Sequence, residues 1–214
     1  MCFSPEVDFA VGTAIAVVGI DALRHCPSPR YLPLAAMPML FAAHSFSSAL
    51  VWCGFLTDQP EWITAWATSF YVIFAFVVLP LLVPVSILAI EWNTSRRWWL
   101  VSVTAMGLVA ALDFGQSIAR GDTQASQCTN YIDFNVYGSG LRTGVLYVLA
   151  TCAAMMLSQN RNLQIWGGIN FVAVSLLGVT QNQGLPSLWC FLAAATSFVI
   201  AIYLRVETKL IKIE

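Results

Sequence analysis

Apolar residues run along this chain in long blocks separated by short polar clusters, and most blocks approach or exceed the roughly 20 residues that carry a helix across a hydrocarbon layer. Seven blocks are predicted as transmembrane helices: residues 7–24, 32–56, 62–91, 98–119, 141–158, 163–181 and 186–205. The expected fold class is all-α, a polytopic membrane protein with one transmembrane helical domain over residues 1–214. The third block is the longest, and Pro80 and Pro84 each remove a backbone donor, so a tilt or kink is expected there. The first block lacks a preceding basic region and a small-residue cleavage site, so it reads as a retained span rather than a signal peptide. One connection is long, residues 120–140. Its alternation of Ile132, Phe134 and Val136 with Asp133 and Asn135 predicts an extended piece with one apolar edge, acting as a lid or as an ordered connector.

Composition fits this pattern, with 58% of residues hydrophobic and 10% charged, against roughly 25% charged in an ordinary soluble domain. The net charge of -1 is uninformative, and nucleic acid is not an expected partner. The distribution of charge is what orients the chain. Arg24, Arg30, Arg96, Arg97, Arg161, Arg205, Lys209 and Lys212 fall on one side of a seven-span threading and Arg120 and Arg142 on the other, which predicts an outer amino terminus and an inner carboxyl terminus. The tryptophans are expected at the two interfaces, Trp52, Trp62, Trp66 and Trp189 outside and Trp92, Trp98, Trp99 and Trp166 inside. Gly167, Gly168, Gly178, Ala193, Ala194, Ala195 and Ser197 are small enough for close approach between the last helices.

Polar residues inside the spans are the candidates for chemistry, because an unpartnered polar group in lipid is costly. Asp21 is expected to pair with Arg24 and His25, and Glu91 with Arg96 and Arg97. His44 is the histidine placed at mid-membrane. Ser48 lies one turn above it on the same face, and Asn170 is a candidate partner. In the fourth span Asp113, Gln116, Ser117 and Arg120 form a polar stripe. His44, Ser48, Asp113, Gln116 and Asn170 are therefore the candidate ligand-binding residues, a seam rising toward the outer side. A satisfied polar seam between helices explains the same residues without a ligand. No metal-ligand set or catalytic constellation is complete: two histidines at opposite depths exclude bis-histidine haem, and the seventh span has no lysine for a retinal Schiff base. No cofactor follows from these residues.

Of the cysteines, Cys2, Cys53, Cys128 and Cys190 map to the outer, oxidising side and are the disulfide candidates. Loss of Met1 would leave Cys2 with a free amine beside its thiol, a chelating or nucleophilic group.

Met1-Cys2-Phe3-Ser4 and the run Ser187-Leu188-Trp189-Cys190-Phe191 give the chain a resemblance to a family of bacterial membrane proteins of unknown function. That family opens with Met-Cys-Phe-Ser and carries Ser-x-Trp-Cys-Phe in its last helix. The resemblance implies a shared multi-span architecture and a role for Cys2 and Cys190, and supplies no activity. A likeness to the ceramidase-like membrane hydrolases stops at topology, since no histidine follows His44 to complete their zinc site.

The function expected is that of a non-enzymatic integral membrane protein that binds a small hydrophobic ligand or serves as an accessory subunit of a larger membrane complex. Its partners are membrane lipid and either other membrane subunits or a hydrophobic small molecule, and its place is the bacterial inner membrane. The alternatives are an outer-facing enzyme using Asp113, His44 and Cys2, or a small transporter.

Overall fold

The computed structural model of the protein describes residues 4–128, 131–137, 140–180 and 185–211. The helices are α1 (Pro5–Arg24), α2 (Leu32–Leu56), α3 (Glu61–Ile90), α4 (Arg97–Ala119), α5 (Leu141–Met156), α6 (Arg161–Thr180), α7 (Leu185–Thr196) and α8 (Phe198–Ile211). α7 and α8 continue one another through a tight turn at Ser197, so the described residues form seven helical rods. Five rods are long and apolar enough to cross a membrane, which makes this a multi-pass membrane protein by length and composition. The other two are α1, which carries Glu6, Asp8, Asp21 and Arg24, and the shorter α5.

Local chemistry sets the helix ends. Ser4 caps α1 by accepting from the Val7 amide at 3.3 Å, Pro5 occupies its first turn, and Glu6 and Asp8 sit near the positive end of its dipole. α4 ends at Gly121, whose φ of 80° turns the chain while the Asp122 amide reaches back to the Ser117 carbonyl at 3.1 Å. That turn leads into a hairpin, β1 (Thr123–Gln127) paired antiparallel with β2 (Ile132–Val136), with Ala125 opposite Phe134. The extended piece expected at 132–136 is therefore a strand. Ile132 and Phe134 are fully buried, so the apolar edge docks on the bundle.

Two helices depart from α geometry next to prolines and small residues. α3 holds a π turn at Phe74–Val78, just before Pro80, and α5 holds another at Leu149–Ala153. A π turn leaves carbonyls without their usual partners. Pro84 likewise has no N–H for the Pro80 carbonyl, and Gly107 of α4 packs so closely there that a Cβ would lie 2.0 Å from that oxygen.

α1 lies along α2 through the face Asp8, Gly12, Ile15, Gly19, Ala22, all buried. A Cβ on Gly19 would stand 2.7 Å from the Met39 backbone nitrogen, so only glycine permits this approach. Gly167 plays the same part between α6 and α5, with a Cβ at 2.7 Å from Met155. Gly168 faces open space and Gly178 has ordinary contact distance, so of the three glycines expected to pack helices only Gly167 does.

Three expectations change. Trp52, Trp166 and Trp189 are buried inside the protein, whereas Trp62, Trp66, Trp92, Trp98 and Trp99 are exposed. Asp21 pairs chiefly with Arg205 of α8, through two bonds of 2.6 and 2.8 Å, with His25 at 3.4 Å. Glu91 makes no ion pair with Arg96 or Arg97 among the described residues. It accepts instead from the Ser158 hydroxyl at 2.7 Å and the Gln159 amide at 2.5 Å, while Arg96 donates to the Leu157 and Ser158 carbonyls. Both side chains thus satisfy part-buried backbone groups of the turn after α5 instead of each other.

Candidate functional site

Two adjoining regions contain the residues that chemistry could use. The first is a polar and aromatic cluster where α1, α2, α3, α7 and β2 meet. Asp8 is fully buried and accepts from the Ser48 hydroxyl at 2.5 Å. His44 is also fully buried. Its ring stacks on Tyr71 at 3.9 Å and leans on Phe74 at 5.0 Å, and neither ring nitrogen has a hydrogen-bond partner among the described residues. Tyr71 in turn stacks on Phe134 of the hairpin at 3.8 Å. The result is a column of three rings from α2 through α3 to β2. Ser187 of α7 fastens its far side, donating to the Ile132 carbonyl at 2.7 Å and lying 3.5 Å from the Tyr71 hydroxyl. Offset rings of this kind contribute about 0.5–1.5 kcal/mol per pair beyond burial.

The second region is a pair of cavities between α2, α3, α4, α5, α6 and α7. The smaller, of about 30 Å³, is bordered by Met37 and Phe41, which continue the face of His44 down α2, and by Thr151, Trp166 and Asn170. The larger, of about 150 Å³, is bordered by Ala75, Phe76, Phe114, Gly144 and Leu185. Tyr147, Trp189 and Cys190 border both. Among the described residues, no charged one lines either cavity. The π turns of α3 and α5 form part of the wall, and the carbonyl of Ala75, within the first, accepts the Tyr147 hydroxyl at 2.8 Å. Tyr147 also meets Trp189 edge to face at 5.0 Å.

The five candidate residues do not form one seam. Ser48 belongs to Asp8 rather than to Asp113. Asp113 is half-buried and accepts a hydrogen bond from the Thr143 hydroxyl of α5. Gln116 is exposed, because the buried face of α4 runs through Ala110, Phe114 and Ser117. Asn170 borders the smaller cavity but gives its amide to the Trp166 carbonyl of its own helix at 2.9 Å, so it is not the partner of His44.

No two of the described cysteines are joined, so the disulfide expected from Cys53, Cys128 and Cys190 receives no support, and Cys2 lies outside the described residues. Cys190 is buried at the cavities, and Cys53 and Cys128 are half-buried thiols elsewhere. No group of three or more His, Cys, Asp and Glu among the described residues is placed to hold a metal ion.

Asp8 is not among the residues that the sequence offers for chemistry, and Trp189 was expected at an interface. The signal for Asp8 was present: it shares the 4-3-4-3 spacing of Gly12, Ile15, Gly19 and Ala22. For Trp189 the burial arises from helices far apart in sequence, which no local pattern announces.

The chain belongs to the family of unknown function DUF6629, whose model matches residues 1–212. Comparison with curated proteins and with solved structures gives no match.

Proposed function

We propose that this member of the family is a seven-span protein of a bacterial inner membrane, amino terminus outside and carboxyl terminus inside, that binds a small hydrophobic molecule within its bundle. The observation that carries this reading is the pair of uncharged cavities meeting at Tyr147, Trp189 and Cys190. An apolar cavity of roughly 150 Å³ stays dry and takes up small apolar molecules. Two π turns in its wall add support, since such turns recur at functional sites. The bond of Asp8 to Ser48 and the ion pair of Asp21 with Arg205 support α1 as a further span despite its charges.

Gly144 provides the test, since a Cβ there meets nothing within 4 Å while the residue borders the larger cavity. Saturation-transfer NMR on detergent-purified protein should show saturable binding of toluene, and Gly144→Leu should abolish it. Equal binding to both proteins, or to neither, would sink the reading.

A second reading, an accessory subunit of a membrane complex, has its own observation. Ile165, Ile169, Val172, Leu176 and Val179 form an exposed stripe on α6 with the 4-3-4-3 spacing of a helix-pairing seam. Native mass spectrometry of the gently extracted protein would reveal a partner subunit, and a bare monomer would count against that role.

A further inference from the structure

We propose, resting on the cavity reading above, that the ligand is a neutral apolar molecule bearing a hydrogen-bond acceptor, a carbonyl or ether oxygen, and that the Trp189 indole N–H receives it. The lining explains the choice. Its polar groups are largely committed within the protein: the Tyr147 hydroxyl to the Ala75 carbonyl at 2.8 Å, the Thr151 hydroxyl to the Tyr147 carbonyl at 2.9 Å, the Asn170 amide to the Trp166 carbonyl at 2.9 Å, and the Trp166 N–H to Thr196 at 2.6 Å. Trp189 differs. It is 8% exposed, it borders both cavities, and its Nε1 has no hydrogen-bond partner among the described residues. The Trp52 N–H likewise has no partner among the described residues, but Trp52 borders neither cavity.

Buried indole N–H groups nearly always find an acceptor, and one without costs free energy that a ligand oxygen recovers. An anion or cation is disfavoured because no charged side chain among the described residues borders the space to offset its desolvation. A hydrocarbon alone would fill the volume and leave the N–H as it is. A ketone or ether satisfies both requirements.

The probes are cyclohexanone and methylenecyclohexane, which share a shape and differ in the acceptor. Affinities of both are measured by ligand-observed NMR for the full-length wild type and for Trp189→Phe. The variant should weaken cyclohexanone about fivefold more than methylenecyclohexane, as expected for one net hydrogen bond. A second readout needs no variant: in ¹⁵N-Trp-labelled wild type, one indole N–H resonance, that of Trp189, should move downfield on adding cyclohexanone and not on adding methylenecyclohexane. If both probes bind wild type, the variant weakens them alike and no indole resonance moves selectively, the acceptor assignment is overturned and the cavity reading stands. If neither probe binds, both fall.

Discussion

The interface of α1 with α2 and the space bounded by α3, α5 and α7 use the same residue to opposite ends. At the first, Gly12 and Gly19 are pressed so tightly that a Cβ would come within 3.0 Å of a neighbour. In the second, Gly144 faces open volume. Removing a side chain thus closes one interface and leaves room in the other. What separates them is backbone regularity: α1 and most of α2 run as unbroken α helix, whereas α3 and α5 are interrupted by π turns that set neighbouring side chains out of register. Dense packing anchors the protein on one side, and irregular helices hold space on the other.

The strongest test of that contrast is Gly107→Val. Gly107 sits at the tight contact with the Pro80 carbonyl, beside the second region but not lining it. A branched side chain there must displace backbone, so overpacking should cost about 3 kcal/mol or more. The expected outcome is loss of a monodisperse species in size-exclusion chromatography; an unchanged elution and melting temperature would show that α3 and α4 can part freely. Next in size is Asp8→Leu. It removes the carboxylate that holds Ser48, and loss of a charged hydrogen bond should lower stability by about 2 kcal/mol. Asp8→Asn keeps an acceptor and should recover about half of that, judged by thermal melting in detergent.

His44→Phe should act in the other direction. The imidazole is stacked like a phenyl ring and carries two nitrogens without partners among the described residues, so the substitution removes polar atoms that find no bond there while keeping the stack on Tyr71. A gain of about 1 kcal/mol is expected, since replacing unsatisfied polar atoms by apolar ones of similar shape is neutral or stabilising. A loss of that size would mean that the nitrogens do bond in the membrane, and would restore His44 as a site residue.

Much of the fold was legible because each rod announces itself locally. Each of the seven described rods begins within two residues of the start of an expected block and β2 was foreseen as extended, since chain-local hydrophobic periodicity decides both. The site was less legible for a physical reason. His44 and Ser48 do share a face, but what surrounds them is set by rods distant in sequence: Asp8 from α1, Phe134 from the hairpin, Ser187 from α7. A polar stripe such as Asp113 to Arg120 says that a helix has a polar side. Which helix answers it, here Thr143 of α5, depends on the order of rods in the bundle. Tryptophan misled for the same reason, since its position along a helix does not reveal whether it faces a headgroup or a neighbour, and Trp166 and Trp189 face neighbours.

The smallest expected effect on stability, and the one that sharpens the contrast most, comes from Gly144. In a helix interior glycine is less favourable than alanine by about 0.8–1 kcal/mol, so Gly144→Ala should stabilise by no more than that and leave probe binding intact, because a methyl group fills little of a cavity of about 150 Å³. Gly144→Leu gains most of the same propensity and in addition sends an isobutyl group toward the cavity. Its stability should therefore match or slightly exceed that of Gly144→Ala while toluene binding disappears. The pair separates backbone propensity from occupancy, which either substitution alone would confound. Were leucine to destabilise as alanine does not, the volume beside Gly144 would already be filled in the folded protein, and the two regions would differ in helix geometry but not in the space they keep.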